Sequence, residues 1–149
     1  MIKVRPAVAG DSASWLRLRG KLWPDGSDNE HGGEIARYFR GESAEPLAVL
    51  VAEDSLGRIV GFAELSIRPC AEGCRTSRIG YLEGWYVEPE RRRQGVGRSL
   101  LAEAERWARS QGCTEFASDT EADNDVSTAA HQALGFVEAG ILRCFRKEL

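Results

Sequence analysis

A mixed α/β fold is predicted from three observations. The chain has 149 residues, which suits one domain able to bury a substantial core. Strand-like runs alternate with segments of helical periodicity along its whole length. No repeat, low-complexity tract or linker interrupts that alternation, so residues 1–149 are expected to form a single domain.

Each element has its own signal. Residues 2–7 read as a strand. Asp11 can cap a helix in which Trp15, Leu18 and Leu22 recur at i, i+3 and i+7, until Trp23-Pro24 ends it. Residues 25–33 are polar and glycine-containing and read as a loop, followed by a short helix over residues 34–39. Residues 46–53 and 58–68 are strand-like runs joined by Asp54-Ser55-Leu56-Gly57, a hairpin signal. A loop over residues 70–77 leads to a strand over residues 78–87. Val96, Leu100, Ala104 and Trp107 mark a helix that stops at Gln111-Gly112. A short strand over residues 113–119, a helix over residues 125–134 ended by Gly135, and a closing pair of short strands over residues 136–147 complete the order β-α-α-β-β-β-α-β-α-β-β.

Composition excludes several classes. No apolar run approaches the length of a membrane span. Met1-Ile2-Lys3-Val4 starts a strand and lacks the features of a signal peptide, so a cytoplasmic protein is expected. The net charge is −3 despite a local arginine cluster, which argues against general nucleic-acid binding and leaves an acidic remainder suited to a cationic partner. Of the four cysteines only Cys70 and Cys74 are close in sequence, and no histidine accompanies them; reduced structural thiols are expected, and no metal site.

The most informative stretch runs from Tyr81 to Leu101. It reads as a strand, a tight turn containing Gly95 and Gly97, and a helix. The unpaired N–H groups and positive dipole end of a helix start favour a bound phosphate, and glycines let that backbone come close to it. Arg91, Arg92, Arg93 and Arg98 sit in or beside the first turn, where the dipole alone would favour acidic side chains. A Walker loop is excluded because no Lys-Ser or Lys-Thr follows, and a dinucleotide fingerprint lacks its third glycine.

Arg92, Gly95 and Gly97, directly after Trp85-Tyr86-Val87, resemble the R/Q-x-x-G-x-G/A signature of the GCN5-related N-acetyltransferases (GNAT), and the element order fits that family along nearly the whole chain. The resemblance implies the acyl-CoA N-acyltransferase fold, with a central, mostly antiparallel sheet flanked by helices. It implies that the backbone of Arg93, Gln94, Gly95, Val96, Gly97 and Arg98 holds the pyrophosphate of acetyl-coenzyme A, that the main chain of Trp85, Tyr86 and Val87 is the rail for its pantetheine arm, and that Asn124 contacts the cofactor. Asn124 can equally cap the last helix.

Around residues 18–24, Tyr81-Leu82-Glu83-Gly84 and Ala117-Ser118-Asp119-Thr120, with Asn124, His131, Gly135 and Phe136, the chain looks like the aminoglycoside 6′-N-acetyltransferases. That resemblance implies an aminoglycoside acceptor, with Trp23 walling the sugar site and Glu83 and Asp119 holding the polycation and serving as catalytic carboxylates, Glu138 lying at the rim. It also implies a homodimer. From residue type alone Glu83 can instead point to solvent or pair with an arginine, Asp119 can be a helix N-cap or a turn former, and Trp23 can be core. Position 140 is glycine where the subfamily often carries a carboxylate, and Cys70 stands near a usual tyrosine. His131 occupies the place of a tyrosine that in many acetyltransferases protonates the leaving thiolate, but can equally be a packing residue. An acceptor such as a polyamine, a small amine or a protein N-terminus remains the alternative within the same chemistry, and a coenzyme A-binding sensor the alternative outside it.

Overall fold

The computed structural model describes all 149 residues. Five strands lie in chain order across one sheet: β1 Lys3–Pro6, β2 Ala48–Glu53, β3 Ile59–Arg68, β4 Ile79–Val87 and β5 Phe116–Ser118. The first three pairings are antiparallel and the last, β4 with β5, is parallel. A parallel neighbour requires a crossover, and α3 (Val96–Ser110) provides it.

Side-chain alternation divides the strands between two cores. From β2, Leu50 and Ala52 join Ala63, Leu65, Leu82 and Val87 beneath α3, meeting Val96, Leu100, Leu101 and Ala104. Val49 and Val51 point the other way, to Phe62 and Ile59, and are covered by Trp15 and Leu18 of α1 (Ser12–Leu22) and Ile35 of α2 (Asp28–Phe39). This period of two in the strands and three to four in the helices is the pattern from which the α/β class is predicted. The fourth helix, α4 (Asp125–Ala133), follows β5.

Three expectations need correction. The second helix begins six residues early, because the Ser27 side chain accepts the Glu30 amide at 3.1 Å in a Ser-x-x-Glu capping arrangement inside the segment expected to be a loop. Asp11 precedes α1 but does not cap it with its side chain; its carboxylate instead accepts from the Val8 amide at 2.8 Å and from the Arg5 guanidinium at 2.8 and 3.0 Å. The closing strands over residues 136–147 do not form. Val137, Ile141, Leu142 and Phe145 stay exposed, since the neighbouring edge strand β5 is only three residues long and an isolated hairpin is marginal in water.

Candidate active site

The site begins with an irregularity in β4. Pairing runs Leu65 to Leu82 and then Glu64 to Gly84, so Glu83 is an extra residue, a bulge of the kind that re-aims side chains. It turns Glu83 toward the α1 face, where the Ser66 hydroxyl donates to Oε2 and Arg68 engages the carboxylate with two bonds, Nε to Oε2 at 2.9 Å and Nη2 to Oε1 at 2.6 Å. The arginine-paired reading of Glu83 therefore holds. Its two oxygens still have lone pairs for a further donor.

Arg68 also lies over the Tyr81 ring, with its guanidinium carbon 3.7 Å from the ring centroid. The Tyr81 hydroxyl donates to Asp119 Oδ2. Burial, and then the bond to Asp119, push the Tyr81 phenol well above its ordinary range, so the proton stays on tyrosine. Glu83, Arg68, Tyr81 and Asp119 thus form one continuous chain of polar contacts. Arg68 and Tyr81 are the members that the sequence reading did not single out; the signal for Arg68 is its alternation with Ser66, Glu64 and Phe62 on one face of β3.

Trp23 reaches the same place. It ends α1, and its six-membered ring lies so close to Gly84 that a Cβ there would be 2.6 Å from Trp23 Cη2. Gly84, next to Glu83, is a glycine because the indole needs the room. Trp23 is half-buried, with one part packed and one part facing out.

Beyond this cluster the sheet opens. β4 and β5 pair only from Gly80–Phe116 to Leu82–Ser118, so Trp85, Tyr86 and Val87 have β3 on one side and no strand on the other. At the mouth of this fork, Ser118 Oγ lies 2.8 Å from His131 Nε2. The other ring nitrogen, Nδ1, donates to the Ser127 carbonyl at 2.7 Å, which leaves Nε2 free to accept from Ser118. His131 is thus both a packing residue, edge-on to Trp85 and Phe136, and half of a polar pair.

The start of α3 closes the fork. Gly95 is its N-cap with φ +84°, and Arg93 is the one non-glycine residue with positive φ, at +61°. Open space lies where a Gly95 Cβ would project, whereas a Cβ on Gly97 would come within 3.1 Å of Trp85 Cζ2. Gly97 therefore gives the helix room to pack on β4. The four arginines divide in the same way. Arg91 pairs with Asp54 at 2.5 Å, and Arg92 donates to the Val87 carbonyl at 2.8 Å while lying over Tyr86. Arg93 and Arg98 are exposed. A pyrophosphate fits here because uncapped N–H groups at the start of α3 lie beside exposed arginines.

Asn124 caps α4, its side chain accepting from the Ser127 amide at 3.0 Å. Gln94 is exposed and donates to the Glu90 carbonyl at 3.0 Å. Val96 is buried in the core below α3. Glu138 is exposed in the terminal segment and makes no hydrogen bond, although Ala139 beside it abuts Gly73. No group of three or more His, Cys, Asp or Glu is placed to hold a metal.

A strand splayed from its parallel neighbour, with an uncapped, arginine-flanked helix start at one end and carboxylates at the other, is the geometry implied by the family signature, and residues 13–136 match the Acetyltransferase (GNAT) family. The chain belongs to the GNAT family. It is 57% identical over 146 residues to the aminoglycoside N(6′)-acetyltransferase type 1 of Klebsiella aerogenes, covering 98% of this chain and 96% of that protein. The enzyme of the same name from Acinetobacter haemolyticus is 39% identical, with 99% of each chain covered. Among solved structures, aminoglycoside N-acetyltransferase AAC(6′)-Iy in complex with CoA superposes with a TM-score of 0.92 at 34% identity, over 100% of this chain and 96% of that one. AAC(6′)-Iy bound to the bisubstrate analogue CoA-S-monomethyl-acetylneamine gives 0.91 at 34% identity, over 100% and 99%. The mixed, mostly antiparallel GNAT fold is thereby established for this chain.

Proposed function

We propose that the protein transfers the acetyl group of acetyl-coenzyme A to the 6′-amino group of aminoglycoside antibiotics, with residues 1–149 working as one acetyltransferase domain. The observation that carries this reading is the convergence of Trp23, Glu83 and Asp119 on one side of a fork whose other end is the start of α3. The full-length likeness to enzymes named for this activity supports it.

The cosubstrate supplies an acyl group already activated as a thioester. The main chain of Arg93, Gln94, Gly95, Val96, Gly97 and Arg98 would hold its pyrophosphate, the free edge of Trp85, Tyr86 and Val87 its pantetheine arm, and Asn124 would add a contact from the α4 cap. An ammonium group is not a nucleophile, so a proton must leave before attack. Asp119 is the exposed carboxylate nearest the fork and takes that proton, directly or through water. Glu83 keeps the amine in place, and Trp23 walls the sugar against which the polycation packs. Glu138 would reach a distal amino group at the rim. The departing thiolate takes its proton from water at the fork, beside Ser118, whose hydroxyl His131 holds in place.

The same reading places the protein in the cytoplasm, where its four free cysteines remain reduced. No helix is long and apolar enough to cross a membrane. It acts as a homodimer: the terminal segment exposes Val137 (89%) and Phe145 (92%) with Ile141 and Leu142, a run of apolar side chains suited to a second copy. Acetylation removes a positive charge from the drug and so confers resistance on the cell.

Release of free thiol from acetyl-coenzyme A, measured with kanamycin, tobramycin, spermidine and a peptide as acceptors, tests the assignment. Turnover with the two antibiotics far above the other amines is expected. Turnover confined to spermidine or the peptide would overturn it.

A further inference from the structure

Between α1, α2 and β3 lies a buried charged network that the chemistry above does not use. Arg19 and His31 are each 5% exposed and Glu64 1%. Glu64 Oε2 accepts from Trp15 Nε1 at 2.9 Å and from Arg19 Nε at 2.7 Å, and Oε1 accepts from Arg19 Nη2 at 3.2 Å. Arg19 Nη1 turns away from Glu64 to the Glu34 carboxylate and to His31 Nδ1, the latter at 3.0 Å. An arginine can only donate, so Nδ1 accepts, and the ring proton sits on Nε2. That Nε2–H lies 3.0 Å from the Trp23 carbonyl, which also receives the Gly26 amide at 3.2 Å. The Arg19 guanidinium carbon is itself 4.9 Å from the centroid of the Trp23 ring.

Trp23 is therefore gripped at its carbonyl by His31, on its ring by Arg19, and at its edge by Gly84. Burying a charged pair in this way is an expensive means of stabilising a fold. Its geometry has one consequence at the fork: it fixes the indole that abuts Gly84, one residue from Glu83. We propose that His31 is a positioning residue for the aminoglycoside site, setting the place of Trp23 through a neutral, Nε2-protonated imidazole that links Arg19 to the Trp23 carbonyl. The inference rests on the reading of Trp23 as the acceptor wall. Gly26 belongs to the same device, because a Cβ there would stand 2.7 Å from His31 Nε2 and 2.9 Å from Cε1.

Four variants test this by steady-state kinetics with tobramycin and acetyl-coenzyme A, alongside thermal unfolding. His31→Leu removes both hydrogen bonds. His31→Gln restores one acceptor for Arg19 and one donor for Trp23. Gly26→Ala displaces the imidazole without deleting a polar group, and keeps the test open should the leucine variant fail to fold. Trp23→Ala tests the wall directly. The expected result is a rise of about tenfold in tobramycin KM for His31→Leu and Gly26→Ala, the size of one lost hydrogen bond, with acetyl-coenzyme A KM unchanged and His31→Gln close to the parent. Tobramycin KM unchanged in folded His31→Leu or Gly26→Ala while Trp23→Ala raises it would overturn the positioning role alone. An equal rise for both substrates, or failure of His31→Gln to rescue, would also overturn it. An unchanged tobramycin KM in Trp23→Ala would remove the acceptor wall, and the inference with it.

Discussion

The Tyr81 hydroxyl donates to the Asp119 carboxylate across the parallel pairing of β4 and β5, one residue from where the two strands part. The bond holds an otherwise exposed carboxylate at the mouth of the fork. Tyr81→Phe should leave the fold intact and lower kcat/KM for an aminoglycoside by about tenfold, a typical loss for one hydrogen bond to a charged group. Asp119→Asn should cost more, roughly 10²–10⁴-fold, since the amide oxygen can still accept from Tyr81 but the charge and the proposed proton acceptor are gone. Comparison of the two variants by steady-state kinetics decides the order.

His131→Ala should keep much of its turnover. The thiolate is a good leaving group, and water can supply its proton, while positioning contributes roughly 7–11 kcal/mol in favourable cases. Rates of the His131→Ala and Asp119→Asn enzymes across pH check this. Abolished turnover in the former with retained turnover in the latter would exchange the two roles.

At the helix start, stability and cofactor binding should separate. Arg93 sits at φ +61°, a conformation costing a side chain of this kind about 1–2 kcal/mol. Arg93→Gly should therefore unfold at the same or a higher temperature, yet bind coenzyme A more weakly by calorimetry, having lost an exposed cation from the cradle. Gly95→Val, at φ +84°, should weaken both.

The Arg5 guanidinium, through its hydrogen bonds to Asp11, holds that carboxyl below its usual range, partly against the cost of burial, with the Val8 amide assisting. The unfolded chain thus binds the Asp11 proton more readily than the folded one. The contact's contribution is present above the ordinary aspartate value, about 3.9, and is lost as pH falls through the lower folded value. Asp11→Asn should be less stable at neutral pH and show a shallower decline in unfolding midpoint on the acid side.

Much of this molecule is legible in its sequence because the patterns are local. The period-two runs of β2 and β3 and the spacing of Val96, Leu100 and Ala104 report directly which face is buried. The same holds for the glycine-arginine turn before α3. What sequence reading misses depends on partners distant along the chain. Arg68 and Glu83 are fifteen residues apart and meet only because the bulge turns Glu83 toward β3. Gly97 reads as part of the cradle, and only the fold shows that it also makes room for Trp85 beneath it. The early start of α2 had a readable capping signal at Ser27 and Glu30, obscured by Gly32 and Gly33. The alternation after Phe136 suggests strands, yet one chain offers those side chains no face to cover.

The central claim, acetyl transfer to a 6′-amine held by Trp23, Glu83 and Asp119, is tested most directly by locating the acetyl group. Tobramycin incubated with acetyl-coenzyme A and the protein should yield one product, with NMR placing the new amide at the 6′ nitrogen, and an aminoglycoside bearing a 6′-hydroxyl should release no thiol. Acetylation at another amine, or thiol release of equal rate from the 6′-hydroxyl compound, would contradict the account.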